Sequence, residues 1–412
     1  MENIVDLHWF PLVSQGNIYS LTNLRSTKNA NKVLVASLKR NIYLCECHVL
    51  PKNQINPLIK ELLFTYIPSG AEIISIDAYN KSKEDDEFVI GITIMKYSSE
   101  TSVERYLNIY SEGAGDTDDN NSIEAIAQNC LMVELNYTPY HLYHTEVITQ
   151  DLEKEIVWLI SSDDFKVHMI REDKTSHGYI ESEIDKYFPE FIELKAIALW
   201  MDIYYYEDYK RRLTVVGCEC GLVKVSEIDV IKGEINRSWS LRYDSPVSGV
   251  RIFTHRNLIE KPSFLEMIPD VEMNINFNIL INTASTTIIF EDVLNQGLDN
   301  DIKLRSSDPT SCVLCCCIAD INMDNQNEIL LGTYEREVLV FANRNGKWEM
   351  TSKKLFDAAI HSICYTDLTG DGVNELVVLT QRSVHILQHD SKIITELWRE
   401  RYQALIADKL KD

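Results

Sequence analysis

The sequence predicts an all-β chain: a single seven-bladed β-propeller over residues 1–390, followed by a short C-terminal amphipathic α-helix over 391–412. Three observations predict it. An apolar run, a short polar turn and a second alternating run recur seven times along the chain. The acidic stretch DLTGDGVNELVVL at 367–379 has an echo 47 residues earlier, DINMDNQNEILLG at 320–332, with Asp320 standing against Asp367. Beyond residue 390 the apolar spacing changes from two to three and four, the periodicity of a helix.

The repeats read in order as KVLVASLKRNIYLCE, EFVIGITIMK with YLNIYSE, EIVWLISSDDFKVHMI, RLTVVGCECGLVKVSEI, NILINTASTTIIFED, EILLGTYEREVLVFAN and ELVVLTQRSVHILQH. Their first strands begin near Val33, Phe88, Ile156, Leu213, Ile279, Ile329 and Leu376, at gaps of 55, 68, 57, 66, 50 and 47 residues. The shorter gaps suit one four-stranded propeller blade each, and the longer ones hold insertions at 81–87, 113–122 and 257–274. A blade has too little core to stand alone, so it must stack on neighbours. Closing the stack into a ring leaves few strand edges exposed. Two separate β-sandwiches are the alternative, but no Pro/Gly/Ser-rich linker divides the chain.

The last segment, SKIITELWRERYQALIADKLKD, places Ile394, Leu397, Trp398, Tyr402 and Leu405 on one apolar stripe. Such a helix either folds back on the propeller rim or faces a partner. The stripe is the candidate partner-binding surface.

Composition narrows the function. The formal charge of -23 argues against nucleic acid, which needs a basic footprint. The acidic tracts KSKEDDE (81–87) and GDTDDNN (115–121) read as solvated loops. No apolar run reaches the roughly 18–20 residues that cross a bilayer, so direct membrane insertion is not expected. The start MENIVDLHWF carries no basic region followed by an apolar core, which predicts a cytoplasmic protein that meets membranes through partners. Ten cysteines lack paired zinc-finger spacing and lie in strand-like runs, where free thiols behave as small hydrophobes.

Catalytic signatures are absent: there is no GxxxxGK[ST], GxGxxG after a strand, GxSxG or HExxH. His141 and His144 lie three apart in strand-like sequence, so alternation sends them to opposite faces. The WD dipeptide of WD40 propellers is also missing. Two acidic loops remain as candidate sites: Asp320, Asn322, Asp324 and Glu328, and their counterparts Asp367, Thr369, Asp371 and Glu375. An EF-hand would need its bidentate Glu at position 12, which is Val378 here. A shorter loop with ligands at positions 1, 3, 5 and 9 leaves Ca2+ open. An Asx-type turn braced by its own backbone N–H groups is the other reading, and the favoured one. No cofactor is otherwise expected.

Several longer stretches carry a resemblance. ELLFTYIPSGAEIISIDAYNKS (61–82), FVIGIT (88–93), YLNIYSE (106–112), SIEAIAQNCLMVELNYTPYHL (122–142), DVLNQGLDN (292–300), DLTGDGVNEL (367–376) and SVHILQH (383–389) are similar, in order, to the kaptin family. The acidic loops by themselves resemble FG-GAP repeats, which many propellers share. The family resemblance implies a non-catalytic subunit of the KICSTOR complex, cytoplasmic and recruited to the lysosomal surface. That complex recruits the GATOR GTPase-activating complex to lysosomes and restrains TOR signalling when amino acids or glucose are scarce. The implied partners within it are a second FG-GAP propeller subunit, a large scaffold subunit and a small fourth subunit. The alternative that the resemblance implies is an F-actin-associated protein of lamellipodia and stereocilia. For that role KRR at 210–212 is the compact basic cluster.

Overall fold

Each of the seven strand anchors falls in the second strand of a four-stranded antiparallel sheet, and the seven sheets are the blades of one propeller. The computed structural model describes residues 3–397 apart from 28–29, 51–53, 83, 100–101, 113–121, 150–152, 176–177, 257–274 and 305–310, together with residues 399 and 403. Blades 1 to 6 span 21–62, 71–134, 139–182, 198–242, 247–304 and 313–355. Of the predicted insertions, 257–274 and nearly all of 113–122 lie outside the described residues.

Blade 7 is assembled from both ends of the chain. Ile360–Thr366, Glu375–Thr380 and Ser383–His389 supply its inner three strands, and Ile4–Pro11 adds the outermost, antiparallel to Ser383–His389. The sequence reading did not foresee this closure. Pairing the two ends ties the ring shut through backbone hydrogen bonds and completes blade 7 to four strands.

Burial explains why the second strands were legible. Asn278–Thr283, Glu328–Thr333 and Glu375–Thr380 are buried at every position. Each fully buried Val, Leu or Ile contributes roughly 1.5–3 kcal/mol, so these strands dominate the inter-blade core. The outer strands Glu234–Arg242 and Lys347–Leu355 are mostly exposed and mixed in character. Six of the inner strands carry a register shift near their start, for example at Val247/Gly249 and Val313/Cys315. A bulge of this kind re-aims side chains. Blades 6 and 7 approach closely at Gly332, where a Cβ would lie 2.5 Å from Cys315 Sγ and 2.6 Å from Ile360 Cγ2.

Residues 12–20 lead from the closing strand to blade 1 and bridge several blades on the way. Leu12 N donates to Arg382 O of blade 7 (2.7 Å), and Asn17 Nδ2 to Ile74 O of blade 2 (2.9 Å). Tyr19 OH donates to Leu199 O of blade 4 (2.7 Å), so the segment spans the axial channel. Side chains of one inner strand also bond the backbone of the next: Asp77 Oδ2 accepts from His144 N and Asp202 Oδ2 from Ile252 N, both at 2.7 Å. The helix after blade 7 is seen over 391–397. No helix among the described residues is long and apolar enough to cross a membrane.

Candidate functional site: the cleft between blades 6 and 7

The end of the blade 7 sheet, the acidic loop of blade 6 and the C-terminal helix converge on one cleft of about 450 Å3. Its floor is apolar, with Ile4, Ile321, Val340 and Ala342. One wall is the helix, which contributes the half-buried Ile393, Ile394 and Leu397. Asp324 and Asp390 make the lining acidic, with Arg344 beside them, and Glu328 lines it as well. Two sets of residues singled out in the sequence therefore meet here: Asn322, Asp324 and Glu328 with Ile394 and Leu397. Trp398, Tyr402 and Leu405 of the stripe lie outside the described residues. Asn3, Ile4 and Ile393 were missed. Placing the first two required knowing that the chain start closes blade 7.

The blade 6 loop is bonded to itself. Asp320 Oδ1 accepts from Asp324 N (2.9 Å) and its Oδ2 from Asn325 N (2.8 Å). Asn322 Oδ1 accepts from Asp324 N (2.8 Å), and Asp324 Oδ1 from Gln326 N (2.9 Å). Asn325 holds a φ of 64°, the left-handed conformation for which Asn is the best substitute for Gly. Glu328 Oε2 accepts from Ile321 N (2.9 Å), and its Oε1 from the Asn322 side-chain amide (2.5 Å). Burial pushes the Glu328 carboxyl up to about 8, opposed by the Ile321 N–H and reinforced by Asp324 and Asp320.

The blade 7 loop repeats the design with one difference. Asp367 Oδ1 accepts from Gly370 N (2.6 Å) and its Oδ2 from Gly372 N (2.8 Å), while Asp371 Oδ1 accepts from Val373 N (2.9 Å). Glu375 Oε2 accepts from Leu368 N (2.8 Å). Thr369, in the place of Asn322, bonds its hydroxyl to Asp367 Oδ1 (3.4 Å), and Glu375 Oε1 is buried without a hydrogen-bond partner. Burial again raises the carboxyl to about 8, with Asp371 and Asp367 reinforcing and the Leu368 N–H and, more weakly, the Thr369 hydroxyl opposing. This loop is not part of the cleft. It packs toward blade 1, where Asn31 N donates to Asp367 O (2.8 Å).

Calcium finds a mixed reception in these loops. The orphan oxygen of Glu375 is a donor that a cation would use. Yet among the described residues no three His, Cys, Asp or Glu side chains stand where one ion would touch them all. The aspartates of both loops are instead bonded to the loops' own backbone N–H groups.

Other candidates resolve into structural roles. Arg212 of the KRR cluster is buried, donating from Nη2 to Glu190 Oε1 and Oε2 (2.8 and 2.9 Å) and to Tyr187 O (2.8 Å). Its neighbour Arg211 lies within 3.8 Å of Asp229, so the cluster is no free basic patch. Ser383, His385 and Asp357 have the composition of a catalytic triad but not its geometry. Serine and aspartate both meet His385 Nε2 at 3.0 Å, whereas a triad uses opposite ring nitrogens. His141 stacks on Tyr19 (5.1 Å between centroids), while His144 Nδ1 pairs with Asp77 (2.7 Å). The ten cysteines are free thiols, five buried and five half-buried.

Comparison with known proteins adds the remaining evidence. The family model described as "KICSTOR complex protein kaptin" matches residues 4–399. The mouse (Mus musculus) protein of that description is 33% identical over 390 residues, covering 93% of this chain and 87% of its own. Among solved structures, the fold is similar to a chain of the crystal structure of BBS1N in complex with ARL6DN. There the TM-score is 0.54 at 9% identity, over 94% of this chain and 97% of that one. It is also similar to the Dos1 propeller, with TM-score 0.51 at 8% identity over 94% and 96%. At these identities the likeness is one of fold alone.

Proposed function

Because the chain belongs to the kaptin family of KICSTOR complex proteins, we propose that it is a non-catalytic subunit of that complex. In this reading it is a cytoplasmic propeller held at the lysosomal surface by its partners. There it helps recruit the GATOR GTPase-activating complex and restrains TOR signalling when amino acids or glucose are scarce. The observation that carries the proposal is a match running from the closing strand into the C-terminal helix, so that it spans the whole ring.

The cleft between blades 6 and 7 supports a binding role and suggests where it is exercised. Its half-buried Ile394 and Leu397 stand over an apolar floor inside an acidic lining. Such a surface suits an apolar segment carrying basic residues. We assign it to the second propeller subunit, with the large scaffold and small fourth subunits contacting other faces. The acidic loops, in this account, are braces that set the entry to the second strands of blades 6 and 7.

Affinity purification of the tagged chain from its own cells, followed by mass spectrometry, tests the proposal. Recovery of the other KICSTOR subunits is expected. Their absence, with the bait folded and abundant, would overturn it.

A further inference from the structure

At the end of the blades opposite the acidic loops, basic side chains gather without carboxylate partners. The acidic loops join first to second strands, so the turns from second to third strands lie at the other end of each antiparallel sheet. In blade 1 that turn carries Lys39 and Arg40, in blade 6 Arg336 and in blade 7 Arg382, all exposed. Hydrogen bonds stitch the three turns together. Phe356 N donates to Arg336 O and Gln381 N to Ala359 O, both at 2.8 Å, so one short connection touches the turns of blades 6 and 7. Leu12 N donates to Arg382 O (2.7 Å) and Lys39 N to Ser14 Oγ (2.9 Å), which joins the turns of blades 7 and 1. Among the described residues, ion pairs form nearby at Lys353–Glu337 and Lys354–Asp6, but none includes one of these four cations.

Backbone geometry sets two of the arginines apart. Blades 1, 3, 4 and 6 make this turn alike, and its last residue is left-handed in each: Arg40 (φ 61°), Phe165 (φ 66°), Gly221 (φ 80°) and Arg336 (φ 70°). Such a hairpin favours glycine at that position, and of the four only blade 4 supplies it. A side chain with a Cβ is strained there. Blades 1 and 6 carry that strain at exposed arginines, and strain kept at a turn tip points to a role outside the fold. Three carboxylates share the area and are already engaged. Glu335 accepts from Ser311 Oγ (2.9 Å) and Cys312 N (3.1 Å), Asp357 from Ser383 Oγ (2.8 Å), and Glu61 from Asn41 Nδ2 (2.6 Å). Apolar surface lies among the cations. Val13, 75% exposed, stands between the contacts to Arg382 and Lys39, and Tyr334, 65% exposed, opens the Arg336 turn.

We propose that this face of blades 6, 7 and 1 docks an acidic segment of a partner protein, one whose carboxylates flank an apolar side chain. Arg40, Arg336 and Arg382 take the carboxylates as two-pronged pairs, and the apolar side chain lies on Val13 and Tyr334. A protein segment is favoured over an anionic membrane because it touches the patch alone. A membrane plane would also meet the surrounding surface of a chain with 63 acidic against 40 basic residues. The patch and the cleft between blades 6 and 7 lie on opposite faces of the ring, so both can be occupied at once. The inference is independent of the KICSTOR assignment.

Fluorescence anisotropy with the purified full chain and a labelled peptide of Glu-Glu-Leu repeats tests it, beside a Gln-Gln-Leu control. Saturable binding of the acidic peptide is expected, weakening as salt is raised. Arg40→Gly combined with Arg336→Gly gives both turns the residue that blade 4 already uses. The melting temperature should hold or rise while affinity for the peptide falls at least several-fold; a merely structural role for the arginines would lower the melting temperature instead. Arg382→Gln, outside the left-handed positions, should weaken binding independently. No saturable binding by the parent, equal binding of the Gln-Gln-Leu peptide, or unchanged affinity in the variants would overturn the proposal. Sedimentation with phosphatidylserine vesicles in place of peptide binding would assign the patch to lipid and overturn it equally.

Discussion

The loops 320–328 and 367–375 are two copies of one turn, and they differ most at a single position. In the first, the Asn322 amide caps the second oxygen of a buried glutamate. In the second, Thr369 stands in its place and leaves Glu375 Oε1 unpartnered. Both glutamates sit at the start of a wholly buried strand and bond backward to the backbone N–H of the residue after the leading aspartate. The turn is thus a brace whose completeness depends on one amide. A motif that reads as a cation loop is used here to enter a strand, and its acidity follows from the backbone N–H groups it must satisfy.

The largest expected effect comes from deleting the two glutamates. Glu328→Ala strands the Ile321 N–H and the Asn322 amide, and should cost roughly 2–4 kcal/mol. Glu375→Ala strands chiefly the Leu368 N–H and removes an orphan oxygen, so about 1–2 kcal/mol is expected. Urea unfolding at pH 7 measures both, and equal costs would break the comparison.

Next in size is the response to pH. Both carboxyls are raised to about 8 in the folded chain, against about 4.3 when unfolded. Between those values the folded state holds protons that the unfolded state has lost. Stability from these groups is therefore full below the unfolded value and declines as pH rises toward 8. Replacing both by Gln should flatten that decline by at least about 1 kcal/mol per group. A melting temperature with the same pH 5 to pH 8 slope in variant and parent would contradict it.

A smaller effect tests the single position directly. Thr369→Asn should give Glu375 Oε1 its missing donor and stabilise the fold by about 1 kcal/mol. Asn322→Thr should remove the corresponding donor and destabilise it by a similar amount. Thermal denaturation of the pair and of the double swap would show opposite signs that nearly cancel. The smallest expected effect is that of calcium: millimolar Ca2+ should leave the melting temperature of the parent within error. A saturable upward shift, lost in Asp371→Asn, would return the blade 7 loop to the class of metal sites.

How far the sequence could be read follows from burial. The second and third strands of each blade were legible because residues such as Ile279–Ile281 and Leu376–Leu379 are buried on both faces and so are uniformly apolar. The inner strands were not. Their Asp77 and Asp202 break the apolar pattern for the sake of bonds between blades. The outer strands, such as Lys347–Leu355, face water and carry no strand signature. The closing strand Ile4–Pro11 was hidden for a different reason, because its partner lies nearly the whole chain away. The candidate site was half visible. Its helix and acidic loop were identified separately, but their convergence depends on the ring, which local periodicity does not encode.

The central claim is that this propeller works by binding partners through the cleft between blades 6 and 7. Quantitative affinity purification of the parent beside an Ile394→Asp/Leu397→Asp variant tests it most directly, with melting temperature as the check on folding. The account predicts that the second propeller subunit is recovered with the parent and falls at least several-fold with an equally folded variant. Undiminished recovery with the variant would contradict it.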